Sequence, residues 1–319
     1  FVHTTLVPML GTVGEQKTKP TQHSVKELRS IGIQPDVIVA RATEPLEYSI
    51  KRKISLFCDV PLEAVVSAAD AKSIYEIPIV LEEQGLTDFI LRRLGIDRPK
   101  KDLSQWREFL DRILYPSSTV RIAIVGKYTH LADSYLSHLE AFHHAGAELG
   151  AKIECCFFDS EKVEKDGITK ELCCCDGILI PGGFGSRGID GKIMTAKYAR
   201  EQRVPYLGVC LGFQIATIEI ARNVLGMKGA HTTELDPKTE HPVVDLLPEQ
   251  RGVTNMGGSM RLGAQKVLVQ SGSRAAKLYG MTEIMERHRH RYEVNPDFIE
   301  RLEAAGWKFT GRSEDGVKM

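Results

Sequence analysis

The sequence predicts an α/β protein built from two doubly wound, mostly parallel sheets. Residues 1–95 alternate short apolar runs with helical patterns, and the same alternation starts again at Val120-Arg-Ile-Ala-Ile-Val-Gly126. The stretch between them is charged and contains prolines. We therefore expect one domain at 1–95, a linker at 96–118 and a second domain at 119–319. Trp106, Phe109 and Leu110 of the linker should pack on a neighbouring domain, because a wholly solvated linker would not need them.

The sequence patterns of the first domain predict two strands and three helices. The strands are expected at 36–40 and 65–68. One helix starts within 17–22, a second runs from about 46 to 57, and a third covers 73–95 with a break near 85. The first helix has Pro20 in its first turn and ends before Gly32.

The second domain repeats this strand and helix rhythm. Strands are expected at 120–126, 153–158 and 177–181, and helices at 134–149 and 170–175. In a doubly wound sheet, ligands bind at the carboxyl ends of the strands. Cys210 and the glycine-rich run 182–188 both fall at such ends, so we expect the functional site there.

The composition excludes several classes of protein. The 319 residues include 42 Lys and Arg against 42 Asp and Glu, so the formal net charge is zero and gives no overall attraction to nucleic acid or acidic membranes. No run approaches the roughly 18 apolar residues of a membrane span, and the first residues lack a signal-peptide layout. We expect a cytoplasmic protein without a membrane or nucleic-acid partner. Seven cysteines without a C-x-x-C pair favour reduced thiols over disulfides or a zinc site.

The strongest motif is Gly208-Val-Cys-Leu-Gly212, which follows an apolar strand and precedes a helical pattern. Glycines on both sides permit the sharp strand-to-helix turn of a nucleophile elbow, with Cys210 at its tip. A thiol at a helix N-terminus lies near N–H donors, so we expect a lowered pKa and the fastest alkylation of the seven cysteines. A lone cysteine is more often a small buried residue, but the flanking glycines favour the elbow.

The run Gly183-x-Gly185-x-x-Gly188 matches a dinucleotide-binding fingerprint, but a different function is favoured. That fingerprint needs an acidic residue about 20 positions further on, at the tip of the next strand, where this sequence has Cys210. We expect instead an anion-stabilising loop. The N–H groups of Gly183 and Leu211 would converge on the oxyanion that forms when Cys210 attacks a carbonyl group.

Two lysines, Lys17 and Lys19, lie at the start of the first predicted helix. Cations there oppose the helix dipole unless an anion is bound, and exposed N–H and ammonium groups together suit a phosphate. Two solvated lysines on a loop explain the same pattern equally well. The residues alone leave both interpretations open.

Longer motifs reveal a family resemblance. Pro181-Gly-Gly-Phe-Gly185 followed by Gly208-Val-Cys-Leu-Gly212 resembles the class I glutamine amidotransferases. The motifs 17–28, 73–75, 125–128, 260–263 and 287–295 extend the resemblance to the CTP synthase family along nearly the whole chain. That family makes CTP from UTP, ATP and glutamine, and ammonia passes from a glutaminase domain to a synthetase domain. The resemblance implies ATP with Mg²⁺ as a substrate complex, no prosthetic group, and a homotetramer.

The resemblance also implies residue roles. Cys210 would be the nucleophile, Glu234 would hold the α-amino group of glutamine, and Arg291 would pair with its α-carboxylate. The glutamine and oxyanion pocket would be lined by Gly183, Leu211 and Gln214. UTP and CTP phosphate contacts would come from Lys17, Thr18, Lys19, Pro20, Thr21, Gln22 and Lys53, and adenine contacts from Ala69, Asp70 and Ala71. From periodicity alone, the Arg-His alternation around Arg291 indicates a solvated strand with a basic face.

The family's catalytic base is a histidine in a His-x-Glu unit, and its P-loop and magnesium carboxylates come earlier in the chain than the segment at 17–22. None of His231, His241, His288 and His290 is followed by x-Glu. The resemblance therefore implies a fragment of a longer enzyme, with the metal ligands outside these residues. Without the base, this polypeptide should hydrolyse glutamine hardly at all.

Two other functions stay open at this point. Another protein with a cysteine elbow, such as a γ-glutamyl hydrolase or a DJ-1-like protein, explains Cys210 but leaves residues 1–95 without a function. A non-catalytic nucleotide-binding module explains the lysines but makes no use of the elbow.

Overall fold

Two parallel sheets, one in each of two units, organise the chain. The computed structural model describes residues 1–11, 14–99, 101–129, 131–246 and 261–318. The first unit comprises Phe1–Pro116 with Ala147–Gly150, and the second comprises Ser117–Gly146 with Ala151–Met319. The α/β class with mostly parallel sheets, predicted from the sequence, is confirmed.

The described residues of the first unit form a three-stranded parallel sheet, a short antiparallel pair of strands and five α-helices. Its strands are β1 (Val2–Leu6), β2 (Met9–Leu10), β3 (Glu15–Gln16), β4 (Val37–Ala42) and β5 (Val65–Ala69), and its helices are α1 (Lys19–Ser30), α2 (Tyr48–Cys58), α3 (Ile77–Glu83), α4 (Leu86–Leu94) and α5 (Ser104–Leu114). The parallel sheet has the order β1-β4-β5, and β2 and β3 form a separate antiparallel pair. The strands predicted at 36–40 and 65–68 are confirmed, and Gly85 separates α3 from α4.

Successive residues of β4 are buried on opposite faces of this sheet. Ile38 packs in one cluster with Val25 of α1 and Ile54 of α2, whereas Val37 packs in another cluster with Leu86 of α4. Because side chains alternate along a strand, helices must cover both faces to bury them. The sheet is therefore doubly wound, as the sequence predicts.

The segment predicted as a linker contains α5, and its aromatic side chains pack within the first unit. Trp106 donates a hydrogen bond from Nε1 to the carbonyl oxygen of Tyr75, at 2.8 Å. The ring of Phe109 meets the ring of Tyr75 edge to face, with centroids 5.5 Å apart, and Leu110 is buried. The expected docking of these residues is confirmed. The two units meet in sequence at Pro116 and Ser117.

In its described residues, the second unit begins with four parallel strands and five α-helices. The strands are β6 (Ser118–Gly126), β7 (Ala151–Asp159), β8 (Gly177–Ile180) and β9 (Tyr206–Gly208), and the helices are α6 (Leu136–Leu149), α7 (Ser160–Asp166), α8 (Lys170–Cys173), α9 (Ile189–Gln202) and α10 (Leu211–Asn223). The four strands are parallel in the order β7-β6-β8-β9. Their carboxyl ends therefore lie at one edge of the sheet, which the elbow and the glycine loop share.

Six further strands and two helices follow in the described residues of the second unit. They are β10 (His231–Thr232), β11 (Pro242–Asp245), β12 (Arg261–Val269), β13 (Glu283–His290), β14 (Glu293–Val294) and β15 (Gly311–Arg312), with helices α11 (Arg274–Tyr279) and α12 (Pro296–Ala304). They form two sheets, β10-β11-β14 and β13-β12-β15. Within the described ranges no helix is long and apolar enough to cross a membrane.

The Arg-His alternation lies on β13, which pairs antiparallel with β12 so that His290 is opposite Arg261. Arg287 and Arg289 are exposed, whereas His288 and His290 are half-buried. The solvated basic face inferred from periodicity is therefore right for the arginines and wrong for the histidines, which face inward. Met260, the first residue of the predicted motif 260–263, lies outside the described residues.

Candidate active site

Cys210 lies at a sharp turn between β9 and α10, with φ 54° and ψ −107°. A positive φ is strained for a residue with a Cβ atom, and among the described non-glycine residues it recurs only at Asp59 and Arg203. The strand ends two residues before Cys210 and the helix starts one residue after it. The predicted sharp turn from strand to helix, with Cys210 at its tip, is confirmed.

The glycines that flank the elbow leave no room for side chains. A Cβ atom on Gly212 would lie 2.0 Å from the carbonyl oxygen of Ile180, and one on Gly208 would lie 2.5 Å from the backbone of Gly212. The hydroxyl of Tyr206 donates to the carbonyl oxygen of Gly212, at 2.7 Å. Because the backbones of β8, β9 and α10 approach so closely, the main chain fixes the position of Cys210.

A cavity of about 70 Å³ opens beside Cys210. Its walls come from the loop after β8, the start of α10, the loop after β10 and the segment between β13 and β14. The residues around Cys210 are Gly183, Phe184, Leu211, Gln214, Glu234, His290, Arg291 and Tyr292. The structure thus brings together every residue that the resemblance assigned to glutamine, from four separate parts of the sequence.

Cys210 also borders a second cavity, of about 250 Å³. Its wall is formed mainly by 287–294, together with Val209, Phe213 and Gln214. The carbonyl oxygen of Arg289 lies 3.8 Å from Cys210 Sγ, within reach of a weak S–H donor. The thiol is therefore adjacent to open space on two sides.

The glycine loop after β8 is held by Lys127, a residue to which the sequence gave no role. Its Nζ donates to the carbonyl oxygens of Phe184, at 2.6 Å, and Gly185, at 2.8 Å. A Cβ atom on Gly183 would lie 3.9 Å from Cδ2 of Leu211, so the two predicted oxyanion donors belong to neighbouring residues. Lys127 is part of the motif 125–128, and that resemblance was the available signal.

Burial raises the pKa of Glu234, while the nearby charges of Arg291 and Lys127 act to lower it. The backbone N–H of Glu234 donates to Oγ1 of Thr232, at 3.2 Å. A half-buried carboxylate beside a guanidinium group offers one partner for an ammonium ion and another for a carboxylate. This charge pair suits the two ends of an α-amino acid.

The thiol of Cys210 corrects one prediction. Burial raises its pKa, the N–H of Leu211 acts to lower it, and the carboxylates of Glu234 and Glu293 raise it further. The expectation of an unusually acidic thiol is wrong, because loss of hydration and two negative charges outweigh one helix N–H donor. In the absence of a ligand the thiol is therefore protonated at pH 7.

His288 and His290, which the resemblance gives no role, lie close to Cys210. His290 borders both cavities and His288 borders the larger one. Nδ1 of His288 lies 3.1 Å from Nε2 of His290. Burial, assisted by the charges of His288 and Arg261, lowers the pKa of His290 to about 4. Burial likewise lowers the pKa of His288, so both rings are neutral at pH 7.

In the first unit, the residues assigned to nucleotide phosphates lie at the start of α1. Lys19 and Pro20 are exposed, whereas Thr18 and Thr21 are buried. The hydroxyl of Thr21 donates to a backbone carbonyl oxygen of β1, at 3.1 Å, and Thr18 Oγ1 accepts from the amide of Gln22, at 2.9 Å. Both threonine side chains therefore make their hydrogen bonds inside the protein.

The predicted lysines Lys17 and Lys53 come together at Glu15. Lys17 Nζ lies 2.6 Å from Glu15 Oε2. This hydrogen bond, together with the charges of Lys17 and Lys53, lowers the pKa of Glu15. Lys53 and Arg52 of α2 also border an open cavity of about 500 Å³. Lys17 therefore pairs with Glu15, and the charge of Lys53 acts on the same carboxylate.

The residues assigned to adenine lie at the carboxyl end of β5. Ala69 is its last residue, and Asp70 and Ala71 are exposed. Arg41 donates to the carbonyl oxygen of Ala69, at 3.2 Å, and to Asp70 Oδ1, at 2.8 Å. Within the described residues no group of three or more His, Cys, Asp or Glu side chains is arranged to hold a metal ion.

Two protein families match the chain in succession. The family described as CTP synthase N-terminus matches residues 1–96, and the family described as Glutamine amidotransferase class-I matches residues 130–319. The chain belongs to the CTP synthase family. A cysteine-elbow hydrolase of another kind does not account for the match at 1–96.

Curated CTP synthases are similar over nearly the whole chain. The protein from Thermococcus gammatolerans is 56% identical over 315 residues, and the one from Bacillus licheniformis is 49% identical over 316 residues. Each alignment covers 99% of this chain and 59% of the relative. The chain therefore spans about three fifths of the length of these relatives.

A solved structure resembles the amidotransferase part. The Trypanosoma brucei CTPS glutaminase domain with bound acivicin is 42% identical, with a TM-score of 0.57. The likeness covers 61% of this chain and 75% of that chain. It supports the class I amidotransferase fold of the second unit.

Proposed function

We propose that the second unit supplies the nucleophile and the substrate pocket for release of ammonia from the side-chain amide of glutamine, through a thioester on Cys210. We further propose that the ammonia aminates UTP to CTP in a reaction that uses ATP. One observation carries the first proposal: Gly183, Leu211, Gln214, Glu234 and Arg291 line a single cavity with the elbow thiol. The family membership of the chain supports the second proposal.

Substrate recognition would use the charge pair in the cavity. The α-ammonium group of glutamine would bind Glu234, and its α-carboxylate would bind Arg291, whose planar guanidinium group suits a carboxylate. These contacts would direct the side-chain amide toward Cys210. They would select a free amino acid over a peptide, because a peptide lacks one or both charged groups.

The chemistry begins with attack of the sulfur on the amide carbon. As the C–S bond forms, the carbonyl electrons move to oxygen, and the N–H groups of Gly183 and Leu211 would stabilise the resulting oxyanion. The C=O bond then re-forms as the C–N bond breaks, the nitrogen takes up the proton that the Cys210 thiol has given up and leaves as ammonia, and a glutamyl thioester remains on Cys210. Water hydrolyses the thioester to glutamate and regenerates the thiol.

Glutamine binding would itself activate the nucleophile. The charge of Glu234 is one cause of the raised pKa of Cys210. An ammonium group bound beside Glu234 would offset that charge and lower the pKa, so the thiolate fraction would rise in the complex. The protein would thus keep its thiol unreactive until an amino acid with a free ammonium group is in place.

The first unit would hold the nucleotides. Lys17, Lys19 and Lys53 would contact the phosphates of UTP or CTP through ammonium groups, since the hydroxyls of Thr18 and Thr21 are already used inside the protein. Pro20 and Gln22 complete the helix start that would face these phosphates. Adenine contacts would come from Asp70 and Ala71, because Arg41 occupies the carbonyl oxygen of Ala69. ATP would bring Mg²⁺ with its phosphates, and a homotetramer is part of the proposal.

Labelling with acivicin tests the glutaminase proposal in a single step. Acivicin is an amino acid with an electrophilic ring, and we expect mass spectrometry to find it attached to Cys210. Cys210→Ala should abolish the label, and Cys174→Ala, at an exposed cysteine of the same unit, should retain it. Glutamine should protect against labelling.

The charged residues supply the second arm of this experiment. Glu234→Gln and Arg291→Met should slow labelling by acivicin by at least about 10-fold each, since each removes a charge-assisted contact worth about 1.5–3 kcal/mol. Persistence of the label in the Cys210→Ala protein would show that another residue is modified, and unchanged labelling of both charge variants would show that the cavity does not recognise the amino acid; either result would contradict the proposal.

A further inference from the structure

We propose that His288 and His290 are positioning residues that fix the substrate clamp Arg291 relative to the Cys210 thiol. The inference rests on the proposed glutaminase function and adds two residues to it. The backbone carbonyl group of Tyr292, the residue next to Arg291, lies at the centre of the arrangement.

Two side chains from different elements donate to that carbonyl oxygen. Nε2 of Gln214 lies 3.0 Å away, and Gln214 is one helical turn beyond Cys210 on α10. Nδ1 of His290, at the end of β13, lies 3.3 Å away. The nucleophile's helix and the strand that leads to Arg291 are therefore joined at one atom. The distance between the thiol and the clamp depends on this junction.

The hydrogen-bond partners determine which ring nitrogens carry protons. A carbonyl oxygen only accepts, so Nδ1 of His290 carries a hydrogen. Nε2 of His290 is then the acceptor for Nδ1–H of His288, at 3.1 Å. The hydrogen bonds run in one direction, from His288 to His290 to the Tyr292 carbonyl, and require the His290 ring to be neutral.

Charged groups from neighbouring strands surround His290. Arg261 of β12 and Glu293 of β14 are buried and lie 3.6 Å apart, and Glu293 Oε1 is 3.4 Å from Nδ1 of His290. Glu293 offers the Nδ1–H a second acceptor, whereas Arg261 opposes a positive charge on the ring. The surroundings therefore favour the neutral tautomer that donates to the Tyr292 carbonyl.

The same segment also touches the nucleophile. The carbonyl oxygen of Arg289, the residue before His290, lies 3.8 Å from Cys210 Sγ. A movement of His290 would displace Arg289 and Arg291 together, since they are its chain neighbours. A ring that only filled space would need no N–H donor, and leucine would replace it. The requirement for a donor separates the positioning role from simple packing.

The test compares two reagents on the full chain. Acivicin reaches Cys210 through the amino-acid clamp, whereas iodoacetamide needs only the thiol. His290→Leu keeps a similar side-chain volume but has no donor, and should lower the acivicin rate constant at Cys210 about 10-fold, equivalent to about 1.4 kcal/mol. The iodoacetamide rate constant should change less than about 3-fold. His290→Asn places an N–H donor near the Nδ1 position and should restore the acivicin rate to within about 3-fold.

Three controls make the result decisive. His143→Leu, at an exposed histidine of the second unit, should leave both rates unchanged. His288→Leu removes the donor to His290 and should give a smaller selective loss, so it replaces His290→Leu if that variant does not fold. Equal slowing by both reagents, or normal acivicin labelling of His290→Leu, would overturn the positioning role alone. Absence of acivicin labelling in the unaltered protein would instead overturn the proposed function, and this inference with it.

Discussion

The elbow of the second unit and the start of α1 in the first unit are both junctions near the carboxyl end of a parallel sheet, and they are built differently. Four separated segments converge on Cys210 and enclose a small cavity. At α1 the assigned residues form one contiguous run, 17–22, joined only by Lys53. The elbow is therefore set by packing of the whole unit, whereas the α1 start presents exposed charges on a local structure.

The two regions also differ in how their charges are screened. Around Cys210, half-buried carboxylates and cations shift the pKa values of the thiol and of Glu234. At α1, Lys17 pairs with Glu15 in an exposed ion pair, and such pairs contribute little to stability. Substitutions should therefore have large, structure-wide effects at the elbow and small, local effects at α1.

The largest expected contrast is between Gly212→Ala and Gly11→Ala. A Cβ atom on Gly212 collides with the Ile180 carbonyl oxygen, whereas one on Gly11 meets no atom within 4 Å. We expect Gly212→Ala to lower the free energy of unfolding of the second unit by more than about 4 kcal/mol, the upper end for single substitutions. Gly11→Ala should change the free energy of unfolding of the first unit, followed through Trp106, by less than about 0.5 kcal/mol.

The measurement uses the two tryptophans, one in each unit. In a Trp106→Phe background, Trp307, which stacks on Phe213 of α10, reports urea unfolding of the second unit. A Gly212→Ala protein with an unchanged transition would show that the elbow relaxes easily, and the contrast between the regions would fail.

The next contrast concerns ion pairs. Arg200 binds Glu219 through two nitrogens, and the Glu219 side chain is 2% exposed. Arg200→Met leaves that carboxylate buried without its partner, and should destabilise the second unit by about 3 kcal/mol. Arg92→Met breaks the exposed pair with Glu63 in the first unit and should cost less than about 1 kcal/mol. Urea unfolding followed separately through Trp307 and Trp106 measures both, and equal losses would remove the distinction.

A third prediction concerns pH. The pKa of His290 is lowered to about 4 in the folded protein, below the ordinary histidine value, so the unfolded chain binds a proton at higher pH than the folded chain. The second unit should keep full stability from this group above about pH 6.5 and lose up to about 3 kcal/mol as pH falls toward 4. His290→Asn should flatten this part of the stability curve. A curve of unchanged slope would show that His290 does not titrate as its surroundings require.

At α1 the expected effect is smaller and confined to ligand binding. Lys19→Ala should weaken UTP binding by about 1–2 kcal/mol, the scale of a charge-assisted hydrogen bond, and reduce its dependence on salt. Lys26→Ala, at an exposed lysine further along α1, is the matched control and should change neither. Calorimetric titration at two salt concentrations measures both. Equal affinities for all three proteins would mean that Lys19 is only a solvated side chain.

The smallest effect is an order of labelling. Because burial and two carboxylates raise the pKa of Cys210, iodoacetamide should label the exposed Cys173 and Cys174 before it. Cys58 of the first unit is fully buried and should label last. Peptide mapping after brief exposure at pH 7 gives the order. If Cys210 were labelled first, the result would support the lowered pKa that the glycine-flanked motif predicts.

Local sequence patterns predicted much of this fold. Apolar runs such as 120–126 and the turn glycines around Cys210 determine short-range structure directly, so the parallel sheets and the elbow were visible in the sequence. The small sheets formed by β10–β15 were not predicted. Their strands pair across long separations, as β11 does with β14, and no local pattern specifies such partners.

The same distinction between local patterns and long-range contacts applies to the residues of the candidate site. The residues that carry recognisable motifs, Cys210 and Gly183 among them, were identified before the fold was known. Lys127 and His290 lie within the motifs 125–128 and 287–295, but a motif does not show which backbone carbonyl each side chain contacts. The pKa of Cys210 was predicted with the wrong sign, because the helix N-terminus is visible in sequence and the carboxylates of Glu234 and Glu293 become neighbours only on folding.

The positive φ of Cys210 has a consequence for any attempt to evolve or engineer the protein. Only glycine adopts that backbone conformation without strain, so replacement of Cys210 by glycine should make the fold more durable while it removes the sulfur. A library screened for heat resistance alone would favour that replacement and discard the nucleophile. Selection that retains cysteine at this position must therefore act on the function of the thiol, since the fold would be more stable with glycine there.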